Sequence, residues 1–325
     1  MSRGLLQGAA HVASLRNNTV IRVPNIGICF IQSAREITPD FVPRLATKAE
    51  ETGLHSFWVN DRLTGEHFEP VTLLAAVTSV TKKIKLGTSV LLPVLRHPVP
   101  LAKSLACIDF LSAGRLIVGI GFGGSQREFD AVDIPFVRRG TRAVEQIELM
   151  KRLWQEDHVR HQGSFFKTTD LSVGPRPTQR PHPPIWMGGA ADTVLKRVGA
   201  LADGYICGTA SLKRFASVWK IISAAAEANG RAPGTIHKAG ITYLTIDENK
   251  NRAVAACEDY LNTYYGKINL DVESETVLGS PDACVERLGS LFARGIETVI
   301  LRLVKPDLAQ LDLLAAKVLP LLQVP

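Results

Sequence analysis

KIKLGTSVLLPVLRHPVPLAKSLACIDFLSAGRLIVGIGFG, residues 83–123, contains one complete strand–helix–strand repeat. Two short apolar runs, 83–92 and 115–123, flank a longer stretch, 97–114, that has the composition of a helix. Strands with continuous apolar side chains are buried on both faces and run parallel, with helices as connections. One residue departs from this pattern, because the small polar Ser89 stands where a buried strand usually has a large side chain.

The same repeat recurs along the chain. We predict strands at 25–31, 55–61, 83–92, 115–123, 184–189, 204–208, 235–247 and 297–304, each followed by a helix. Eight such units predict an α/β fold, a single (β/α)8 TIM barrel, and not a doubly wound sheet. The polar, proline-rich segment 157–183 is predicted to be an insertion after the fourth helix. We assign residues 1–23 to an N-terminal extension and residues 24–325 to the barrel domain.

Composition narrows the classes of function. The chain has 325 residues and a net charge of +7, but its Lys and Arg residues are scattered, so we expect no nucleic-acid partner. No apolar run reaches the roughly 18–20 residues that a membrane span needs, so we expect no membrane partner either. The five cysteines are far apart and form no CxxC pair, which predicts free thiols in the reducing cytoplasm and no metal site.

In a TIM barrel, the functional residues lie at the carboxyl ends of the strands. In this sequence those ends are rich in Gly, Ser and Asn and poor in acid–base pairs. The composition favours a mouth in which a flat ligand lies against the backbone. It does not favour the carboxylate-lined mouth of a glycosidase or the His-rich mouth of a metal-dependent hydrolase.

An ordered set of motifs resembles a known family. The set consists of AEETGLHSFWVND (49–61), LGTSVLLPVLRHP (86–98), DFLSAGRLIVGIGFG (109–123), the pair Arg142–Glu145, GSFF (163–166), PIWMGGA (184–190) and ADGYICG (202–208). Together these motifs resemble the bacterial luciferase-like superfamily over residues 24–320. That superfamily consists of TIM-barrel monooxygenases that use flavin and oxidoreductases that use a deazaflavin.

The resemblance implies a role for Ser89. In this family the third strand ends in a bulge, often with a cis non-prolyl peptide, that supports the cofactor ring. A Ser-Val pair there, here Ser89-Val90, is typical of members that use the deazaflavin coenzyme F-420 (F420). The alternative is an ordinary strand that tolerates a serine.

The resemblance also implies the other cofactor contacts. The cofactor phosphate would lie at the turn after the fifth strand, with help from the end of the sixth strand. Further contacts are expected at the ends of the second and fourth strands. The complete predicted cofactor set is Asn60, Asp61, Ser89, Val90, Gly121, Gly123, Gln126, Gly188, Gly189, Ala190, Cys207 and Thr209.

One departure from the family pattern concerns catalysis. Related deazaflavin enzymes often have Asp-His after the second strand, whereas this sequence has Asp61-Arg62. Arginine stays protonated and cannot act as a base, so a sugar-phosphate dehydrogenase of the familiar type is not expected. Arg62 either holds a substrate carboxylate or pairs with Glu66 on the surface, and His67 either replaces the missing base or is a solvated loop histidine. Asp61, Arg62 and His67 are the predicted catalytic residues.

These observations favour an F420-dependent oxidoreductase that transfers a hydride between the reduced coenzyme and a small organic substrate. An FMN-dependent monooxygenase is the nearest alternative, and a flavin-binding barrel without turnover is a further one. Because members of the family are often dimers, a homodimer is expected.

Overall fold

The computed structural model describes residues 24–31, 33–266 and 270–322. The predicted extension, 1–23, lies outside the described residues, so the domain boundary at residue 24 stays a prediction. The strands are β1 Asn25–Phe30, β2 Ser56–Val59, β3 Lys85–Thr88, β4 Leu116–Ile120, β5 Val159–Gln162, β6 Lys167–Leu171, β7 Ile185–Gly188, β8 Gly204–Cys207, β9 His237–Ile246, β10 Val277–Gly279 and β11 Thr298–Leu303.

Helices connect these strands. They are α1 Phe41–Glu51, α2 Pro70–Val80, α3 Pro98–Leu111, α4 Gln126–Asp130, α5 Arg139–Gln155, α6 Asp192–Leu201, α7 Thr209–Leu212, α8 Phe215–Ala228, α9 Lys250–Tyr265, α10 Val272–Glu275, α11 Pro281–Ala293 and α12 Ala309–Leu313. The final helix predicted after the eighth strand is broken: α12 is followed by a π-helical turn and a 3-10 turn. None of the described helices combines the length and apolarity that a bilayer crossing requires.

Within the described residues, eight parallel strands close into a barrel in the order β1, β2, β3, β4, β7, β8, β9 and β11. The long strand β9 closes the ring, because it pairs with β11 on one side and with β8 on the other. The predicted TIM barrel is therefore confirmed. The short strand β10 was not predicted; it extends the sheet beside the last residues of β9.

The predicted insertion is a separate antiparallel hairpin of β5 and β6, which follows α5 and precedes β7. The Glu145 carboxylate on α5 accepts hydrogen bonds from the backbone N–H groups of Ser164, Phe165 and Phe166. It also contacts Nε2 of His161, at 3.1 Å. One side chain of the barrel thus fixes the turn of the hairpin.

Large aromatic rings fill part of the barrel interior. Trp58 of β2 packs against Trp186 of β7, with ring centroids 5.3 Å apart, and Trp186 stacks on His237, the first residue of β9. Gly87 makes room for Trp58, since a Cβ at this position would lie 2.2 Å from the indole ring. The interior is therefore packed toward the amino-terminal ends of β7 and β9, which leaves the carboxyl ends as the place for a ligand.

Candidate active site at the carboxyl ends of the strands

A cavity of about 710 Å³ opens at the carboxyl ends of β3, β4, β7 and β8. Two thirds of the predicted cofactor-binding residues line it. They are Ser89, Val90, Gly121, Gly123, Gly188, Gly189, Ala190 and Thr209. The structure thus brings together residues that are up to 120 positions apart in the chain.

The floor of this cavity contains the bulge that the sequence suggested. β3 ends at Thr88, and the peptide bond between Ser89 and Val90 is cis. The flanking backbone is held on both sides, because Ser89 N–H donates to the Val59 carbonyl (2.7 Å) and Leu91 N–H donates to the Gly119 carbonyl (2.7 Å). The predicted cis peptide is confirmed. The Ser89 hydroxyl is buried and has no hydrogen-bond partner among the described residues.

Glycines keep the cavity open. Gly124 and Gly208 line it, and apart from their chain neighbours no atom of the described residues lies within 4 Å of where their Cβ atoms would be. Any larger residue at these two positions would therefore project into free space. Gly189 has φ +146°, which favours glycine, and a Cβ there would meet Val194 at 2.8 Å. The walls accordingly suit a flat ligand that approaches the backbone closely.

The charge of this cavity is positive. Among the described residues, its lining contains two arginines, Arg139 and Arg302, and neither Asp nor Glu. Arg139 Nε donates to the Gly123 carbonyl (3.0 Å), and its guanidinium lies 3.8 Å from the centroid of the Phe136 ring. An anionic ligand is therefore favoured.

Arg302, in β11, reaches across the mouth to the bulge. Its guanidinium donates to the hydroxyls of Tyr243 (3.1 Å) and Tyr265 (3.0 Å) and to the Ser89 carbonyl (3.3 Å). Arg302, Tyr243 and Tyr265 were not predicted from the sequence. A signal was present, because Arg302 is a charged residue inside ETVILRLV, a predicted strand that is otherwise almost entirely apolar.

Four members of the predicted cofactor set do not line this cavity: Asp61, Gln126, Cys207 and Asn60. The Asp61 carboxylate forms an ion pair with Arg96 and accepts a hydrogen bond from the Leu92 N–H at 2.9 Å. Gln126 is exposed and donates to Asp130. Cys207 is buried beneath the wall, and burial raises the pKa of its thiol to about 12, so the sulfur is protonated at neutral pH.

Arg62 and His67 line a neighbouring cavity of about 510 Å³, together with Tyr260 and Tyr264. Arg62 donates to the Tyr264 carbonyl (3.1 Å), and its guanidinium lies 5.0 Å from the centroid of the Tyr264 ring. The alternative surface pair with Glu66 is wrong, since Glu66 instead pairs with Arg35.

His67 is half-buried rather than solvated, and its ring packs edge-on against Tyr264. Burial and the nearby Arg62 lower the pKa of His67, so its imidazole is neutral at pH 7. Asn60, the remaining predicted contact, donates to the Tyr264 hydroxyl at 2.7 Å. Tyr264 therefore contacts all three of these predicted residues.

Comparison with known proteins agrees with this geometry. Residues 27–298 match the family described as luciferase-like monooxygenase. The chain is 32% identical over 273 residues to 5,10-methylenetetrahydromethanopterin reductase of Methanopyrus kandleri. This alignment covers 78% of this chain and 74% of that protein. It is 31% identical over 267 residues to F420-dependent glucose-6-phosphate dehydrogenase of Kineococcus radiotolerans, covering 77% and 75%.

A solved structure shares the fold. The crystal structure of monooxygenase RslO1 from Streptomyces bottropensis superposes with a TM-score of 0.81 at 24% identity, covering 91% of this chain and 99% of that one. The barrel and the match over residues 27–298 lead to one assignment. This chain belongs to the luciferase-like monooxygenase family.

Proposed function

We propose that this protein is a coenzyme F420-dependent oxidoreductase that transfers a hydride between the deazaflavin and a small organic substrate. The observation that carries the proposal is the open cavity above the cis Ser89–Val90 peptide. The relatives described above support the proposal. The chain covers about three quarters of the length of each, and one of them is named as F420-dependent. A Ser-Val pair in this bulge is also typical of the F420 members of the family.

The residues present fit a flat ring with an anionic tail. Gly124 and Gly208 leave space that a Cβ would fill, and the buried Ser89 hydroxyl lacks a partner. When bound, F420 supplies the hydride acceptor or donor, while the protein supplies position and electrostatics. Ser89 and Val90 would support the ring from below.

The coenzyme phosphate would lie at the turn formed by Gly188, Gly189 and Ala190. This turn immediately precedes α6, whose N-cap residue, Ala191, supplies no side-chain cap to the first N–H groups, and a helix N-terminus favours an anion. Thr209 would contribute less than predicted, because its hydroxyl already donates to the Ile241 carbonyl at 2.9 Å. Arg139, which lines the same cavity, adds a positive charge.

The substrate is proposed to use the neighbouring cavity. Within the described residues, no carboxylate and no imidazole lines the coenzyme cavity. His67 and Arg62 both line the neighbouring cavity, and both contact Tyr264. Arg62 would hold a polar or anionic group of the substrate. His67, neutral at pH 7, would accept or return the proton that accompanies hydride transfer.

A binding experiment tests this proposal. Calorimetric titration of the purified protein with F420 and with FMN, side by side, should give saturable 1:1 binding of F420 and weaker binding of FMN. Tight binding of FMN alone, with oxygen consumption on reduction, would favour the monooxygenase. Binding of F420 without hydride transfer across a panel of enones, alcohols and imines would favour a barrel without turnover.

Two further properties are proposed. All five cysteines are unpaired and four are buried, which suits a reducing compartment such as the cytoplasm. A homodimer follows from the family resemblance, and the exposed Phe110 and Leu111 at the end of α3 offer an apolar surface for it. Light scattering of the purified protein would give the mass, and a monomeric mass would contradict the dimer.

A further inference from the structure

Arg302 is a cation without an acidic partner. No Asp or Glu in the described residues forms an ion pair with it, and the remaining segments, 1–23, 32, 267–269 and 323–325, contain neither residue type. Its Nε is buried and makes no hydrogen bond within the part of the chain that the structure describes. A partly buried charge without a counterion is costly, which makes Arg302 a candidate for binding an anionic ligand.

The position of Arg302 is defined by three contacts. In the barrel, it lies in register with Cys29 of β1 and Tyr243 of β9. The hydroxyls of Tyr243 and Tyr265 hold its guanidinium, and the third contact is the carbonyl of Ser89 in the cis peptide. The charge is therefore fixed at the bulge, whereas Arg139 is fixed at Gly123 on another wall.

The tyrosines also have hydrogen-bonding capacity to spare. Because Arg302 donates to both hydroxyls, each tyrosine keeps its own proton to donate. Tyr243 donates to Tyr265 at 3.1 Å. The Tyr265 proton is then available to a ligand, and this side chain is 46% exposed on the cavity wall.

We propose that Arg302, with the Tyr265 hydroxyl, stabilises the negative charge that the coenzyme ring gains on reduction, and so sets the coenzyme's reduction potential. This inference rests on the proposed function, which places the ring on the bulge. During substrate oxidation, a C–H bond of the substrate breaks and a C–H bond forms on the ring. The hydride carries two electrons and one proton, so the ring becomes more negative by one charge unless it takes up another proton.

The alternative for Arg302 is a substrate anion. Its contact with Ser89 argues for the ring, because the carbonyl that it binds belongs to the peptide that would support the ring. The neighbouring cavity is better placed for a substrate anion, since Arg62 lines it and Arg302 does not.

The test compares the affinities of oxidised and reduced F420 for the wild type and for Arg302→Met, with Arg139→Met as the matched control. The ratio of the two affinities gives the shift in potential of the bound coenzyme, which an anaerobic dye equilibration measures independently. For R302M we expect reduced F420 to lose about tenfold more affinity than oxidised F420, the size of one charge-assisted hydrogen bond. Tenfold corresponds to about 30 mV for a two-electron couple, toward more negative potential.

R139M should weaken both forms equally and leave the potential unchanged. Arg302→Lys, which keeps the charge, should restore most of the ratio. If R302M does not fold, Tyr265→Phe gives the same comparison with a smaller shift in the same direction. Equal losses for both redox forms, or a rise in the substrate KM alone, would overturn the inference. If wild-type protein binds only FMN, the proposed function fails and the same measurement with FMN still tests Arg302.

Discussion

The Asp61 carboxylate and the Arg96 guanidinium form a two-point ion pair, with 2.5 Å between Oδ2 and Nη1 and 3.1 Å between Oδ1 and Nη2. The Asp61 side chain is only 1% exposed, and its backbone N–H donates to the Val90 carbonyl at 3.2 Å. Asp61 thus joins the end of β2 to the segment that follows the cis peptide. We infer that it positions the bulge, and that its predicted contact with the ring is indirect.

Replacement of Asp61 by Asn should therefore destabilise the fold. Losing one partner of a buried pair typically costs 3–5 kcal/mol, and we expect about 3 kcal/mol because Arg96 keeps Glu69 at 3.0 Å. Urea denaturation measures the change in the free energy of unfolding. The control is Glu69→Gln, which removes a charge that is 46% exposed and caps α2 through the Thr72 N–H; because glutamine can still accept this hydrogen bond, the change should cost about 1 kcal/mol. Equal losses in the two variants would contradict the positioning role.

Gly208→Ala separates folding from coenzyme binding. No atom lies within 4 Å of the added Cβ, and the backbone φ of −69° suits alanine, so the free energy of unfolding should change by less than about 0.5 kcal/mol. The methyl group would occupy cavity space, and we expect the Kd for F420 to rise about tenfold, the effect of one misplaced contact. Calorimetry gives the Kd. Gly289→Ala, in α11 and likewise without close neighbours, should leave the Kd unchanged, and unchanged binding in G208A would show that the coenzyme lies elsewhere.

Arg62→Met tests whether the neighbouring cavity takes the substrate. Loss of one charge-assisted hydrogen bond should raise the substrate KM about tenfold, while the Kd for F420 stays within twofold of the wild type. Steady-state kinetics and calorimetry provide the two values. Arg35→Met is the matched control, because Arg35 is 82% exposed and its one ion pair among the described residues is with Glu66. A larger effect on coenzyme binding than on KM would place Arg62 on the ring.

The barrel and the set of strand ends at its mouth could be predicted from the sequence for a physical reason, whereas the coenzyme contacts were implied by the family resemblance. Continuous apolar strands imply parallel pairing, and in parallel strands the carboxyl ends meet at one mouth. Gly121 and Gly188 could therefore be placed together without any knowledge of distances. Ser89 was recognisable because a small polar residue interrupts a buried strand.

Other parts of the site depend on directions of side chains, which spacing along the chain does not give. Asp61 follows a strand, as a mouth residue should, but its carboxylate turns toward Arg96, which is 35 residues away. Tyr265 is the last residue of α9, and its hydroxyl reaches Arg302 across 37 positions. Only the packed barrel brings these groups together, so the sequence alone left the cation at the bulge unnoticed.

Glu145 makes the stability of the protein sensitive to acid. Burial alone would raise the pKa of its carboxyl, but the His161 ring and the N–H groups of Phe166, Phe165 and Ser164 outweigh this effect and hold the pKa below its usual value. A carboxylate with a lowered pKa in the folded state stabilises the protein above its unfolded-state pKa of about 4.3, and this contribution is lost as the pH falls through the folded-state pKa. Its contribution should therefore be complete at pH 7.

Glu145→Gln should accordingly reduce the free energy of unfolding by about 1.5–3 kcal/mol at pH 7, the range for hydrogen bonds to a charged group. As the pH falls below the unfolded-state pKa of about 4.3 and then through the lower folded-state pKa, the difference between the two proteins should shrink. Urea titrations at pH 7, 5 and 3.5 measure it. Glu148→Gln, an exposed residue on the same helix, should change the free energy by less than about 0.5 kcal/mol at each pH. A loss in E145Q that is independent of pH would mean that the shape of the side chain, and not its charge, holds the hairpin.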